Sequence, residues 1–152
     1  MANQIGIRTV IFVPALVTTI SNVVLAPVTG LTQAVAKNTT WWFRWWIPFS
    51  VGATGGVKFQ VVAPAAPTLY TFAWKLFQGG TGPGTLLDTA VQSASASFAN
   101  AAAGAGSNLM ECTLFLINGV NAGNVTLQFA QNSSVAATLT IIQGGIMEVY
   151  QM

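Results

Sequence analysis

Asn118-Gly119-Val120-Asn121-Ala122-Gly123-Asn124-Val125-Thr126-Leu127-Gln128-Phe129-Ala130 is the stretch that decides how the chain is read. After Asn124, residues Val125, Leu127 and Phe129 point one way and Thr126 and Gln128 the other, which is the period of two of a strand buried on one face. The Asn-Gly pair and the Asn-Ala-Gly triplet supply residues that tolerate positive φ between two apolar runs. They predict a hairpin with the preceding strand, Leu109 to Asn118.

The same pattern extends outward in both directions. Asn132-Ser133-Ser134 and Gln143-Gly144-Gly145 read as turns bounding strands at Ala137 to Ile142 and Ile146 to Gln151. Upstream, β-branched and aromatic runs predict strands at Thr9 to Val13, Leu16 to Leu25, Thr39 to Phe49, Val57 to Val62 and Thr68 to Phe77. Helical periodicity is weak throughout. Two stretches resist this reading. Gln78 to Gly84 has almost no side chains, and Ser93 to Ser107 is nearly all small residues, suited to a weak helix at Phe98 to Ala103 or to a long surface excursion. Short strands at this spacing give a two-sheet sandwich or a barrel.

Composition bounds what such a fold does. The 152 residues suit a single core, and they are 53% hydrophobic but only 5% charged, against about a quarter in ordinary soluble domains. Five cations and three anions must serve the whole surface. A surface so poor in charge presents the apolar patches that mark association, so the chain reads as an obligate assembly component. The cations, Arg8, Lys37, Arg44, Lys58 and Lys75, are scattered and form no basic stripe, which argues against nucleic acid as a partner. The uncharged stretch from Thr9 to Val28 has the length of a membrane span, but Pro14, Pro27 and its β-branched residues suit strands better, so a membrane partner is not expected.

The inventory for catalysis is nearly empty. There is no His, and the carboxylates are Asp88, Glu111 and Glu148, each better read as an ion-pair or solvated strand residue than as half of an acid-base pair. Cys112 is the single cysteine, so no internal disulfide forms; a buried, inert thiol is expected. No catalytic site, metal site or cofactor is expected, and the glycine-rich segments lack the Lys-Ser/Thr and helix of a phosphate-binding loop.

The singular feature is Trp41-Trp42-Phe43-Arg44-Trp45-Trp46. In an extended strand Trp41, Phe43 and Trp45 share one face and Trp42, Arg44 and Trp46 the other. One set fills the core, and the other needs a second cover. Packing at a subunit interface is the favoured cover, with Arg44 lying across indole faces; a stacking platform for sugar rings of a host surface glycan is the alternative. The expected interface residues are therefore Trp41, Trp42, Arg44, Trp45 and Trp46, together with Ile11, Phe12 and Val13 of the N-terminal segment.

Several segments carry a resemblance: Phe43-Arg44-Trp45-Trp46-Ile47-Pro48-Phe49, Thr54-Gly55-Gly56-Val57-Lys58-Phe59-Gln60-Val61, Ala63-Pro64-Ala65-Ala66-Pro67, Gly123 to Asn132, and Gly144-Gly145-Ile146-Met147-Glu148-Val149-Tyr150. In their order they resemble small β-sandwich virion proteins of tailed bacteriophages. The resemblance implies an all-β, jelly-roll-like antiparallel β-sandwich over residues 38–152, with residues 1–37 as an N-terminal arm or strand-adding segment. It further implies a capsid cement or decoration protein on the outer surface of the phage head, a homotrimer bound between major capsid protein subunits. A receptor-binding, glycan-adhesive tip of a fibre is the alternative.

Overall fold

The computed structural model describes residues 6–52, 55–79, 85–93, 98–100 and 106–152. Among them the chain forms twelve strands and no helix: β1 (Ile7–Phe12), β2 (Val17–Ile20), β3 (Ala26–Val35), β4 (Thr40–Val51), β5 (Val57–Val62), β6 (Leu69–Gln78), β7 (Thr85–Gln92), β8 (Phe98–Asn100), β9 (Gly106–Ile117), β10 (Gly123–Ala130), β11 (Thr138–Ile141) and β12 (Ile146–Gln151). The larger sheet runs β1-β12-β4-β9-β6-β7, with β11 on the C-terminal half of β4 and β2 on β11. The smaller runs β3-β10-β5-β8, and all pairings are antiparallel.

Four of these pairings define the architecture. The first strand pairs with the last (β1 with β12), β3 with β10, β4 with β9, and β5 with β8. Such nested pairing is a long antiparallel ribbon rolled over itself, with successive ribbon segments alternating between the sheets. The chain is thus a jelly-roll β-sandwich. The β6–β7 hairpin extends the larger sheet beyond β9.

Rolling the ribbon overturns the hairpin expected between Leu109 to Asn118 and Asn124 to Ala130. β9 pairs with β4 and β6, β10 pairs with β3 and β5, and the link between β9 and β10 crosses from one sheet to the other. Its residues serve the crossing and not a tight turn. The buried Asn118 side chain donates to Ala36 O at 2.7 Å and Asn121 O at 2.9 Å, and Asn38 N donates to Gly119 O at 2.8 Å. Gly119 is needed for close approach, since a Cβ there would stand 2.5 Å from Ala66 O.

The first 37 residues, described from residue 6, add strands to this chain's own sheets: β1 to β12, β2 to β11 and β3 to β10. Val13, Val28, Leu31 and Val35 belong to the same core as the rest of the chain. The exposed area of 7501 Å² is close to the roughly 7,400 Å² expected of a compact monomer of this mass. The stretch from Thr9 to Val28 forms strands and their connections. In β3 the register shifts between Thr126 and Gln128 of β10, and Gly30 takes a φ of 88°. This irregularity lets Val28 and Leu31, three residues apart, both face inward.

The core lies between the sheets, where Phe49 of β4 meets Phe59 of β5 edge-on at 5.4 Å. The stretch Ser93 to Ser107, expected as a weak helix or surface excursion, instead contributes β8 to the smaller sheet, and Ala101 to Ala103 lie outside the described residues. Phe98 is the reason. Its ring stacks on Trp74 at 4.4 Å and packs on Phe72 at 5.5 Å and Phe59 at 5.8 Å, so one aromatic residue ties β8 to both sheets. Phe98→Ala is expected to lower unfolding free energy by about 3–5 kcal/mol in denaturant titrations, whereas Val120→Ala, at an exposed corner, stays within about 0.5 kcal/mol of the parent.

Candidate interaction surface

Strand β4 sits in the middle of the larger sheet and alternates without interruption. Trp41, Phe43, Trp45, Ile47, Phe49 and Val51 are buried, and Trp42, Arg44, Trp46, Pro48 and Ser50 face outward. Its neighbours repeat the alternation, so pairing in register writes rows across the outer face. One row reads Arg8, Tyr150, Trp42, Phe115 and Thr71, from β1 to β6. The next reads Val10, Glu148, Arg44, Thr113, Ala73 and Val91, and the third Phe12, Ile146, Trp46, Glu111 and Lys75.

Five of the eight charged residues of the chain, Arg8, Arg44, Lys75, Glu111 and Glu148, therefore stand on this one face. Four of them are already paired. Arg8 donates to Glu148, and Arg44 Nη2 lies 3.0 Å from Glu111 Oε1. The guanidinium of Arg44 also lies 4.7 Å from the Trp46 ring centroid, and that of Arg8 lies 5.8 Å from the Tyr150 centroid. The hydrogen bond from Arg8 to Glu148, helped by Tyr150, pushes the Arg8 pKa further up and keeps it charged. Trp42 meets Tyr150 edge-on at 5.2 Å.

The opposite exterior is different in kind. On the outer face of the smaller sheet stand Thr32, Thr126, Gln60, Gln128 and Asn124. Its one charge among the described residues, Lys58, donates to Val23 O at 2.7 Å. Hydroxyls and amides hydrate this side, while aromatic rings and closed ion pairs cover the other.

The expected interface residues separate accordingly. Trp41, Trp45 and Val13 are buried inside the chain itself and present nothing to a partner, because their alternation points them between the sheets. Ile11 is half-buried against the core. Trp42, Arg44, Trp46 and Phe12 do reach the outer face, with Trp46 40% and Phe12 58% exposed. Arg44 lies over Trp46. Phe115, Tyr150, Arg8, Glu111 and Glu148 complete the surface and were not singled out from sequence. Their alternation was visible, but which residue stands beside which depends on pairings between distant strands.

Cys112 is buried and free, and burial, reinforced by the charge of Glu111, pushes its thiol pKa well up. Tyr70, whose hydroxyl donates to Val61 O at 3.1 Å, is also pushed up, by burial first and Cys112 second. Among the described residues no three metal-ligating side chains converge.

No protein-family model and no curated protein matches the sequence. Among solved structures, the chain is similar to an Eiger TNF from S. frugiperda at 10% identity, with a TM-score of 0.44, over 97% of this chain and 92% of that one. It is also similar to an infectious bursal disease virus Gt strain structure at 7% identity, with a TM-score of 0.28, and to a VP2 subviral particle of that virus at 8% and 0.25. Each of these two covers 97% of this chain, which spans only 38% and 37% of theirs.

The raised thiol pKa has a sign. The folded state holds its proton where the unfolded state, with an ordinary thiol pKa of about 8.5, releases it, so stability is full below that pH and falls as pH rises past it. Cys112→Ala is expected to flatten this decline between about pH 8.5 and 10 in denaturation midpoints. The native thiol should also stay closed to a disulfide reagent until the chain unfolds.

Proposed function

We propose that this chain is a structural virion subunit, a cement or decoration protein seated as a homotrimer on the outer surface of a phage head. It bridges adjacent major capsid subunits, with no catalytic step and no cofactor. The observation that carries this reading is the outer face of the larger sheet, which is aromatic, apolar and electrically closed on itself. Removing such a face from water strands no charge, because Arg8 and Arg44 keep their carboxylate partners when covered.

Clamping needs no more chemistry than that. A protein that binds the assembled shell and not its free subunits stabilises the shell by mass action, and several modest contacts per oligomer multiply through effective concentration. The stiff two-sheet body holds the adhesive face in shape.

A second reading has its own support. Trp42 and Tyr150 form an aromatic corner beside Gly6, Gln151 and Met152, with Arg8 at hand, and such a corner suits a sugar ring at a fibre tip. Trp42→Ala and Trp46→Ala are expected to release monomers or yield insoluble chain in sedimentation. If both variants stay assembled but lose binding to cell-surface glycan, the fibre-tip reading replaces the cement reading. Particles stripped of the protein should release their genome at lower temperature than complete ones; unchanged release would remove the cement role.

A further inference from the structure

The larger sheet carries a knob at one edge and a hole near the other. The knob is Phe12 on edge strand β1, 58% exposed although it is a large apolar ring. The hole is a depression of about 320 Å³ where β9, β6 and β7 meet, opened by the small side chains of Ala73, Ala90 and Thr113 and walled by Lys75, Val91 and Glu111. An apolar cavity of about 150 Å³ is enough to hold benzene, so an aromatic ring fits. Phe12 and Lys75 lie in the same row of the register, four strand spacings apart, or about 19 Å. A chain's own ring therefore cannot reach its own hole.

Resting on the reading of this chain as an assembly subunit, we propose that Phe12 of one copy seats in the Ala73–Ala90 depression of the next, making a head-to-tail contact that closes a ring of identical chains. Charge selects this occupant. Glu111 at the rim is engaged by Arg44, whereas Lys75 makes no ion pair among the described residues. An anionic partner would answer Lys75 but meet Glu111; a neutral ring answers Lys75 with its π face and leaves the Arg44–Glu111 pair intact. Knob and hole on opposite edges of one sheet give a heterologous contact, which propagates around a rotation axis instead of stopping at two copies.

The test uses the full chain in sedimentation equilibrium, with circular dichroism to confirm folding. Phe12→Ala, which removes the knob, and Ala73→Trp, which fills the hole, should each raise the subunit dissociation constant by about 30-fold or more, the loss typical of a central aromatic anchor. Mixing the two variants should give a one-to-one dimer, since one keeps a sound knob and the other a sound hole; damage to folding cannot produce that complementation. Phe12→Lys should dissociate the ring by repulsion from Lys75, and adding Lys75→Glu should restore it. Assembly of all variants like the parent, a mixture that stays monomeric, or a double variant that fails to reassemble overturns this contact and assigns Phe12 to a different partner. A parent chain that is monomeric at high concentration overturns the assembly reading itself, which separates the two failures.

Discussion

The register of β4 governs the rest of the molecule. This strand is paired on both sides, by β12 and β11 along one edge and by β9 along the other, so its alternation is imposed on the whole larger sheet. A slip of one residue would drive Arg44 between the sheets and turn Phe43 and Trp45 to the outside. Nothing in the interior would compensate a guanidinium, and that penalty holds the strand in place. Core and outer face are thus two readings of one twelve-residue segment.

Scarcity of charge is then less a deficit than a distribution. Most of the ionised groups sit on one face, cross-linked between neighbouring strands, where they set partner positions while leaving that face nearly neutral. The interior accepts a modest penalty of its own. The buried indole N–H groups of Trp45 and Trp74, both opposite Cys112 in the register, have no acceptor, at a cost of about 1–3 kcal/mol each. Stacking on Phe43 and Phe98 offsets part of this, and those rings take up the space a polar partner would need.

How much was legible follows from how local each signal is. Strands with strict alternation, such as β5 and β12, were found at their observed bounds, and the outward set Trp42, Arg44 and Trp46 followed from period two alone. β3 was missed because its bulge spaces Val28, Leu31 and Val35 by three and four residues, which does not read as a strand. β8 was missed because a single Phe98 among small residues has no periodicity, and its role comes from rings on β5 and β6. The hairpin expected at Asn118 to Gly123 failed for a topological reason: local turn chemistry says that the chain changes direction, not which strand it will pair with next. The same limit hid Phe115, Tyr150 and the two carboxylates that complete the outer face. It also placed Trp41, Trp45 and Val13 among interface residues when their own chain covers them.

The hydroxyl and amide exterior of the smaller sheet has a consequence of its own. Ions in solution screen charges but have little hold on Thr, Asn and Gln dipoles, so the wetting of this side hardly changes between dilute and concentrated salt. On the opposite side the ion pairs are short and partly shielded, and they too resist screening. A body built this way keeps its solubility and its adhesion in step as it passes from brackish water to cytoplasm, with no counterion cloud to rearrange.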